Sequence, residues 1–206
     1  GMNTLDFPNI PDATVGETIE INATEFGRAL SSVLYSASMD DTRPALAGVL
    51  FIFKGKTLSL VSSDGFRLSK FDITSDRDFP ESKIILPKHA VSEVGKLITN
   101  MDNNILLSID RENNQVIFDL GESVISSRVI EGEYPNFEKI IPNSFAVKAN
   151  VDRETFLKHI KSAAVFAKEG SSIINLSIEE SEIVITAESS RIGSHMSRLS
   201  AKIEGE

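Results

Sequence analysis

The sequence contains no cysteine, which excludes disulfides, thiol nucleophiles and cysteine-bound metal. Its three histidines, His89, His159 and His195, lie far apart, and none falls in an H-x-x-x-H or HExxH spacing that would hold a metal. No apolar run reaches membrane length and no leader-like stretch opens the chain, so a cytoplasmic protein without a membrane partner is expected. No G-x-S-x-G or phosphate-binding loop occurs. Asp64-Gly65-Phe66 permutes the kinase triplet but lacks the Gly-rich and catalytic-loop strings that would accompany it. Ser62-Ser63 and Ser189-Ser190 read as turn residues. The expectation is a non-catalytic protein with no cofactor. Positive charge is also short: 21 Lys and Arg stand against 30 Asp and Glu, a net charge of -9. At face value this argues against nucleic acid, whose phosphates are met by Lys and Arg. The objection holds only if the acid lies where nucleic acid would bind.

What the sequence does contain is a repeat. Residues 3–17 have no periodic run and read as an entry linker, and Gly1 ahead of Met2 reads as a processing remnant. A short strand at Glu17–Ile21 precedes a helix over about 24–35, with Phe26, Leu30, Val33 and Leu34 on one stripe and Asn22 and Glu25 at capping-box spacing. Val49, Phe51 and Phe53 alternate as a half-buried strand, Lys54-Gly55-Lys56 turns it, and Leu58 and Leu60 resume the alternation. Asp64-Gly65 is a turn dipeptide, Arg67–Ile73 a further strand, and Thr74–Ser82 a charged loop. The pattern then restarts with a strand at Ile84–Leu86 and a helix opened by Pro87. That helix carries the stripe Ala90, Val94, Leu97 and Ile98, and strands follow around Ile105–Ile109, Val116–Leu120 and Val124–Ile130. A third copy runs from a strand at Phe145–Ala149 through a helix at Arg153–Phe166, striped by Phe156, Ile160, Ala163 and Ala164. Strands at Ile174–Ile178, Ile183–Ala187 and Ser194–Glu204 complete it. Phe26, Ala90 and Phe156 superpose, as do Leu30, Val94 and Ile160, and Phe7-Pro8-Asn9 is echoed by Tyr134-Pro135-Asn136. A repeated βαβββ unit follows. Two copies make an α+β domain of two helices on curved antiparallel sheet, and the third copy has no partner.

Several strings carry a resemblance. Thr42-Arg43-Pro44-Ala45-Leu46-Ala47-Gly48-Val49-Leu50-Phe51, then Ser63-Asp64-Gly65-Phe66-Arg67-Leu68, the opening Asp6-Phe7-Pro8-Asn9, and Arg128–Pro135 together resemble the bacterial DNA polymerase III beta subunit, the DNA sliding clamp. The resemblance implies the sliding-clamp fold, with residues 1–16 as entry linker, 17–140 as middle domain and 141–206 as the first half of the third domain. It implies a fragment of a processivity factor that encircles duplex DNA. Such a factor binds DNA weakly and without sequence preference, and tethers partners by short linear peptides: the DNA polymerase III alpha subunit, the clamp loader and repair polymerases. A stand-alone peptide-binding adaptor without DNA encirclement is the alternative.

By the same resemblance the peptide pocket comprises Leu46, Ser63, Gly65, Phe66, Arg67, Leu68, Pro135, Lys139 and Ile140, with Phe66 where the family commonly has His. Arg28, Arg43, Lys88, Lys96, Lys158 and Lys161 are expected to face DNA, and Val165 and Phe166 to lie on the ring-closing surface. Read from the residues alone, Leu46, Leu68 and Ile140 are core positions, Val165 and Phe166 read as core under a sheet, and Arg43 is an ion-pair partner of Asp40 or Asp41. In the family the helices line the ring's hole. Here the three helical stretches sum to about +2 in a chain of -9, so the acid falls on strands and loops. The lone third copy, with an open sheet edge and an uncovered helix face, invites a homodimer through the half third domain.

Overall fold

The computed structural model describes residues 13–16, 18–40 and 42–205. The expected strings at 6–9, most of the entry linker, Glu17 and Asp41 lie outside them. Three repeats are seen. The first is β1 (Thr18–Asn22), α1 (Ala23–Val33), β2 (Gly48–Lys54), β3 (Thr57–Ser63) and β4 (Leu68–Thr74). The second is β5 (Ser82–Pro87), α2 (Lys88–Leu97), β6 (Asn104–Asp110), β7 (Gln115–Asp119) and β8 (Val124–Arg128). The third is β9 (Val147–Asn150), α3 (Arg153–Lys168), β10 (Asn175–Ile178), β11 (Glu182–Ser189) and β12 (Gly193–Ser200), continued by β13 (Lys202–Gly205). The chain divides into two compact units, the first ending at Phe137 and the second running from Glu138.

Local chemistry starts the helices where the sequence places them. The Asn22 side chain accepts the Glu25 N–H at 3.1 Å, and Asp152 accepts the Thr155 N–H at 2.8 Å; both satisfy a donor that a helix start leaves open. α1 stops at Val33 and gives way to a 3-10 turn at Leu34–Ser36, so Leu34 is only half-buried. In α2 the buried face is Ala90, Val91 and Val94. Leu97, expected on that stripe, is 52% exposed, because it falls at the edge of the arc that Val91 and Ile98 centre.

In the first unit the sheets run β1-β6-β7-β8 and β4-β3-β2-β5, all antiparallel. The first strand of each repeat lies on the second strand of the other: Ile19 opposes Leu107, and Leu86 opposes Val49. The core between them is centred on Phe26, whose ring sits 6.2 Å from Phe51 and 6.1 Å from Phe118. Phe79, in the stretch read as a charged loop, is buried against Phe53 at 5.8 Å. One apolar residue therefore anchors an otherwise solvated connection.

The second unit has a smaller core: Ala163, Ala167, Ile183, Ile185 and Ala187, with Phe156, Ile160 and Phe166 packed against it. Its strands depart from expectation at both ends. The first strand is displaced to Val147–Asn150, leaving Phe145 61% exposed. The last breaks at Ala201 into β12 and β13, because β13 leaves β11 to pair with β9, Ile203 opposing Ala149. Among the described residues no helix is long and apolar enough to cross a membrane.

Candidate functional site

β2 is apolar on both faces. Val49, Phe51 and Phe53 enter the main core, while Leu50 and Ile52 point the other way. On that outer face Leu50, Val61 and Ile85 join Leu46, Tyr134 and Phe137 in a second buried cluster, with Leu68 and Ile130 packed against it. The segment after β8 is held over the sheet by the Ile130 N–H, which donates to the Ile85 carbonyl at 2.8 Å. This places Tyr134 and Phe137, flanking Pro135, beside the two leucines of the motifs. The sequence signal for this outer cluster was the uninterrupted apolar run Val49–Phe53, which suits a strand buried on both faces; reading only its odd positions missed Leu50 and Ile52. The Tyr134 hydroxyl is buried without a hydrogen bond of normal geometry. Burial pushes its pKa up to about 12, and the Ser63 backbone offsets this only in part.

The turn after β3 rims this cluster. Asp64 Oδ1 accepts the N–H groups of Phe66 and Arg67, each at 3.0 Å, and Oδ2 accepts Arg67 Nε at 2.9 Å. Those two backbone donors first, and then the guanidinium, hold the carboxyl below its usual range. Ser63 Oγ donates to the Arg67 carbonyl at 2.7 Å and accepts the Gly65 N–H at 3.1 Å. Gly65 has φ +95°, a conformation that favours glycine. The turn is thus locked from inside, and its tip, Phe66, is 96% exposed. Phe66 therefore stands in solvent at the rim rather than in the apolar floor. Arg67 lies over the Tyr35 ring at 6.0 Å, and Tyr35 in turn meets Ser69 at 2.9 Å.

Seven expected pocket residues, Leu46, Ser63, Gly65, Phe66, Arg67, Leu68 and Pro135, belong to the first unit. Lys139 and Ile140 lie in the second, exposed on a 3-10 turn at Glu138–Ile140. The expected DNA-facing cations are more varied than their sequence suggests. Arg28 is exposed on α1. Arg43 pairs with Asp40 at 3.3 Å and sits over Gly65. Lys96 pairs with Glu93 at 2.6 Å. Lys88 is half-buried, its ammonium donating to the Ala37 carbonyl at 2.9 Å. Arg28 and Lys96 rim a groove of about 720 Å³ between α1 and α2, floored by Gly27, Leu30, Gly95 and Ile98. A separate recess of about 600 Å³ beside β1 is lined by Glu20, Asp76 and Asp78, on a strand and a loop. In the second unit Lys158 and Lys161 are exposed on α3. Val165 is 58% exposed, whereas Phe166 packs against the small core with its ring 5.6 Å from His195.

Residues 20–136 match the family model for the central domain of the DNA polymerase III beta subunit, and residues 138–206 match that for its C-terminal domain. The chain belongs to the DNA polymerase III beta subunit family. It is 23% identical over 220 residues to the beta sliding clamp of Synechocystis sp. and 25% identical over 210 residues to that of Synechococcus elongatus. In each case all of this chain and 56% of the relative are covered; the chain spans about half the length of the curated relatives it matches. Among solved structures, the beta subunit from Thermotoga maritima superposes with a TM-score of 0.88 at 26% identity, covering all of this chain and 55% of that one. The sliding clamp from Bacillus subtilis superposes at 0.88 with 23% identity and the same coverage, a likeness of fold. The fold is therefore the α+β sliding-clamp fold, and the three βαβββ repeats are its building blocks.

Proposed function

We propose that this chain is a non-catalytic module of a cytoplasmic replication clamp. Residues 17–137 serve as the clamp's middle domain, 138–206 as the first half of its third, and 1–16 as the entry linker. Its site captures short linear peptides from the DNA polymerase III alpha subunit, the clamp loader and repair polymerases. The observation that carries this reading is the outer cluster: two motif leucines, Leu46 and Leu68, packed with Tyr134 and Phe137 on a sheet face outside the main core. An apolar cluster with half-buried Leu68 at its margin, beside a rigid polar turn, suits an extended peptide with leucine or aromatic anchors. Ser63, Gly65, Phe66 and Arg67 form the rim and Pro135 the far wall. Lys139 and Ile140 belong to the second unit, and the site proposed is built on the first. Duplex DNA is met by cations on helices, Arg28, Lys96, Lys158 and Lys161, with Arg43 and Lys88 beside the site. Such contacts position without reading bases, as a sliding protein requires. Val165 is assigned to the ring-closing surface together with the exposed edge of Phe166.

The test is fluorescence anisotropy of a labelled peptide rich in Gln, Leu and Phe, titrated with the wild-type chain and with Leu68→Asp. Leu68 is half-buried at the margin of the cluster, so the substitution places a carboxylate against the peptide while sparing the main core. Saturable binding weakened at least about tenfold, roughly 1.4 kcal/mol, is expected, with an unchanged circular dichroism spectrum. Absence of saturable binding to wild type, or equal binding by the variant, refutes the site.

A further inference from the structure

α1 and α2 lie side by side in the first unit, and each contributes one glycine to the groove between them, Gly27 and Gly95. A glycine inside a helix gives up backbone entropy and costs stability relative to alanine. Where one is found, a packing or conformational need is the usual reason. Neither need is present here. Neither glycine has a positive φ. A Cβ built on Gly27 would meet only Ile98, at 3.8 Å, and one on Gly95 only Leu30, nearest at 3.6 Å. Those are ordinary van der Waals distances, so alanine would fit at both positions. The chain forgoes helix stability at two neighbouring places, and what it gains is open space.

That space is the groove of about 720 Å³, a size within the range of small-molecule sites. Its floor is apolar. The two glycine backbones lie there with Leu30 and Ile98, and half-buried Leu34 and Met101 stand beside them. Three hydroxyls around it are engaged with backbone carbonyls. Ser31 Oγ donates to the Arg28 carbonyl and Thr99 Oγ1 to the Gly95 carbonyl, each at 2.9 Å, and Thr24 Oγ1 to the Met101 carbonyl at 3.3 Å. What remains for the polar end of a ligand is mainly cationic. Arg28 is exposed and makes no ion pair among the described residues. Lys96 is paired only with Glu93, in an exposed pair that exchanges readily. One carboxylate, Asp102, also lines the groove, so cations outnumber acid there.

We propose that the α1–α2 groove binds a small amphipathic anion, an apolar body carrying one carboxylate, sulfonate or phosphate end. The body lies along the glycine backbones against Leu30 and Ile98. The anionic end is held by Arg28, and by Lys96 once it has exchanged from Glu93. A duplex backbone suits the floor less well, because an apolar surface offers nothing to phosphates repeated along a strand. Arg28 and Lys96 are also the cations assigned above to duplex DNA, so such an anion and the duplex compete for them. The groove itself does not depend on that assignment.

The test is fluorescence titration of the 206-residue chain with anilinonaphthalene sulfonate, an aromatic anion whose emission brightens and shifts to the blue in an apolar site. Phenylnaphthylamine, the same body without the sulfonate, is the control for charge. Saturable one-to-one binding of the sulfonate is expected, at least about tenfold tighter than that of the neutral dye. Gly27→Leu, which fills the groove with a good helix former, and Arg28→Gln, which removes the exposed cation, should each weaken it by a similar factor. Neither should lower the urea midpoint read by tyrosine fluorescence. No saturable binding up to about 1 mM overturns the proposal, as does equal binding of the two dyes. Binding that survives Gly27→Leu but is lost in Leu68→Asp places the dye on the outer cluster and overturns it too. A lower midpoint in Gly27→Leu shows that packing requires the glycine, and removes the ground for a site.

Discussion

Gly48 tests the packing logic most directly. It opens β2, and a Cβ added there would stand 2.6 Å from Ile85 Cγ2, 2.8 Å from the Leu86 carbonyl oxygen and 2.9 Å from Ile130 Cδ1. The two isoleucine ends can rotate. The Leu86 carbonyl cannot, because β5 is held in register with β2 from Gly48–Pro87 to Phe53–Ser82. Gly48→Ala must therefore push β5 outward or strain the ladder. Overpacking of this kind costs about 1–3 kcal/mol, while replacing a strand glycine by alanine recovers about 0.5–1 kcal/mol of backbone entropy. The net expectation is a loss of roughly 1–2 kcal/mol. Both tyrosines, Tyr35 and Tyr134, lie in the first unit and the chain has no tryptophan, so tyrosine fluorescence in urea follows that unit alone. The midpoint should fall with the slope unchanged, the signature of altered stability without altered exposed surface. Because Ile85 and Ile130 belong to the outer cluster, peptide affinity should fall in parallel. A variant as stable as wild type would refute the reasoning, since it would mean that β5 yields freely and does not fix the outer face.

Two further substitutions probe the site's polar groups. Tyr134→Phe removes a buried hydroxyl that lacks a hydrogen bond, so stability at neutral pH should be unchanged or higher by up to about 1 kcal/mol. With the folded pKa raised from 10.0 to about 12, the phenol's contribution is complete below the unfolded value and is lost as pH climbs through that window. The alkaline fall in urea midpoint should thus be shallower in the variant, and an identical fall would exclude Tyr134 as its source. For Asp64 the folded pKa is lowered by its backbone donors, so its contribution is complete above the ordinary carboxylate range and is lost as pH falls through the folded value. Carboxyl NMR titration should place Asp64 below 3.8, with the Phe66 and Arg67 amides following the same curve; amides that titrate unchanged in Asp64→Asn would exclude it.

The repeat and the first helix's cap were legible in the sequence because both are local. Asn22 sits where a cap must, and the stripes Phe26/Leu30 and Ala90/Val94 follow helical spacing. What escaped was set by distant chain. Phe79 looks like part of a charged loop until Phe53 is placed beside it. The break at Ala201 depends on β13 finding β9. At the site, the motif strings pointed to Leu46 and Leu68, but a string cannot tell a floor from a rim. Phe66 occupies a turn tip because Asp64 closes the turn beneath it, and its ring has nothing to pack on.

On the proposed function, the charge objection is met in the same physical terms. Arg43 and Lys96 are engaged with Asp40 and Glu93 in exposed pairs. Pairs of that kind are worth at most about 1 kcal/mol and are screened by salt. A phosphate passing such a pair can replace its carboxylate at little cost and be replaced in turn. Lys88 is tied to the Ala37 carbonyl and contributes field rather than a mobile contact. The α1–α2 groove sets Arg28 and Lys96 against a single carboxylate, Asp102, whereas Glu20, Glu25, Asp76 and Asp78 line a separate recess with Arg77. On the proposed function, a chain of net charge -9 would meet a duplex through a few exposed, individually weak cations on its helices, and a weak grip of that kind is compatible with sliding.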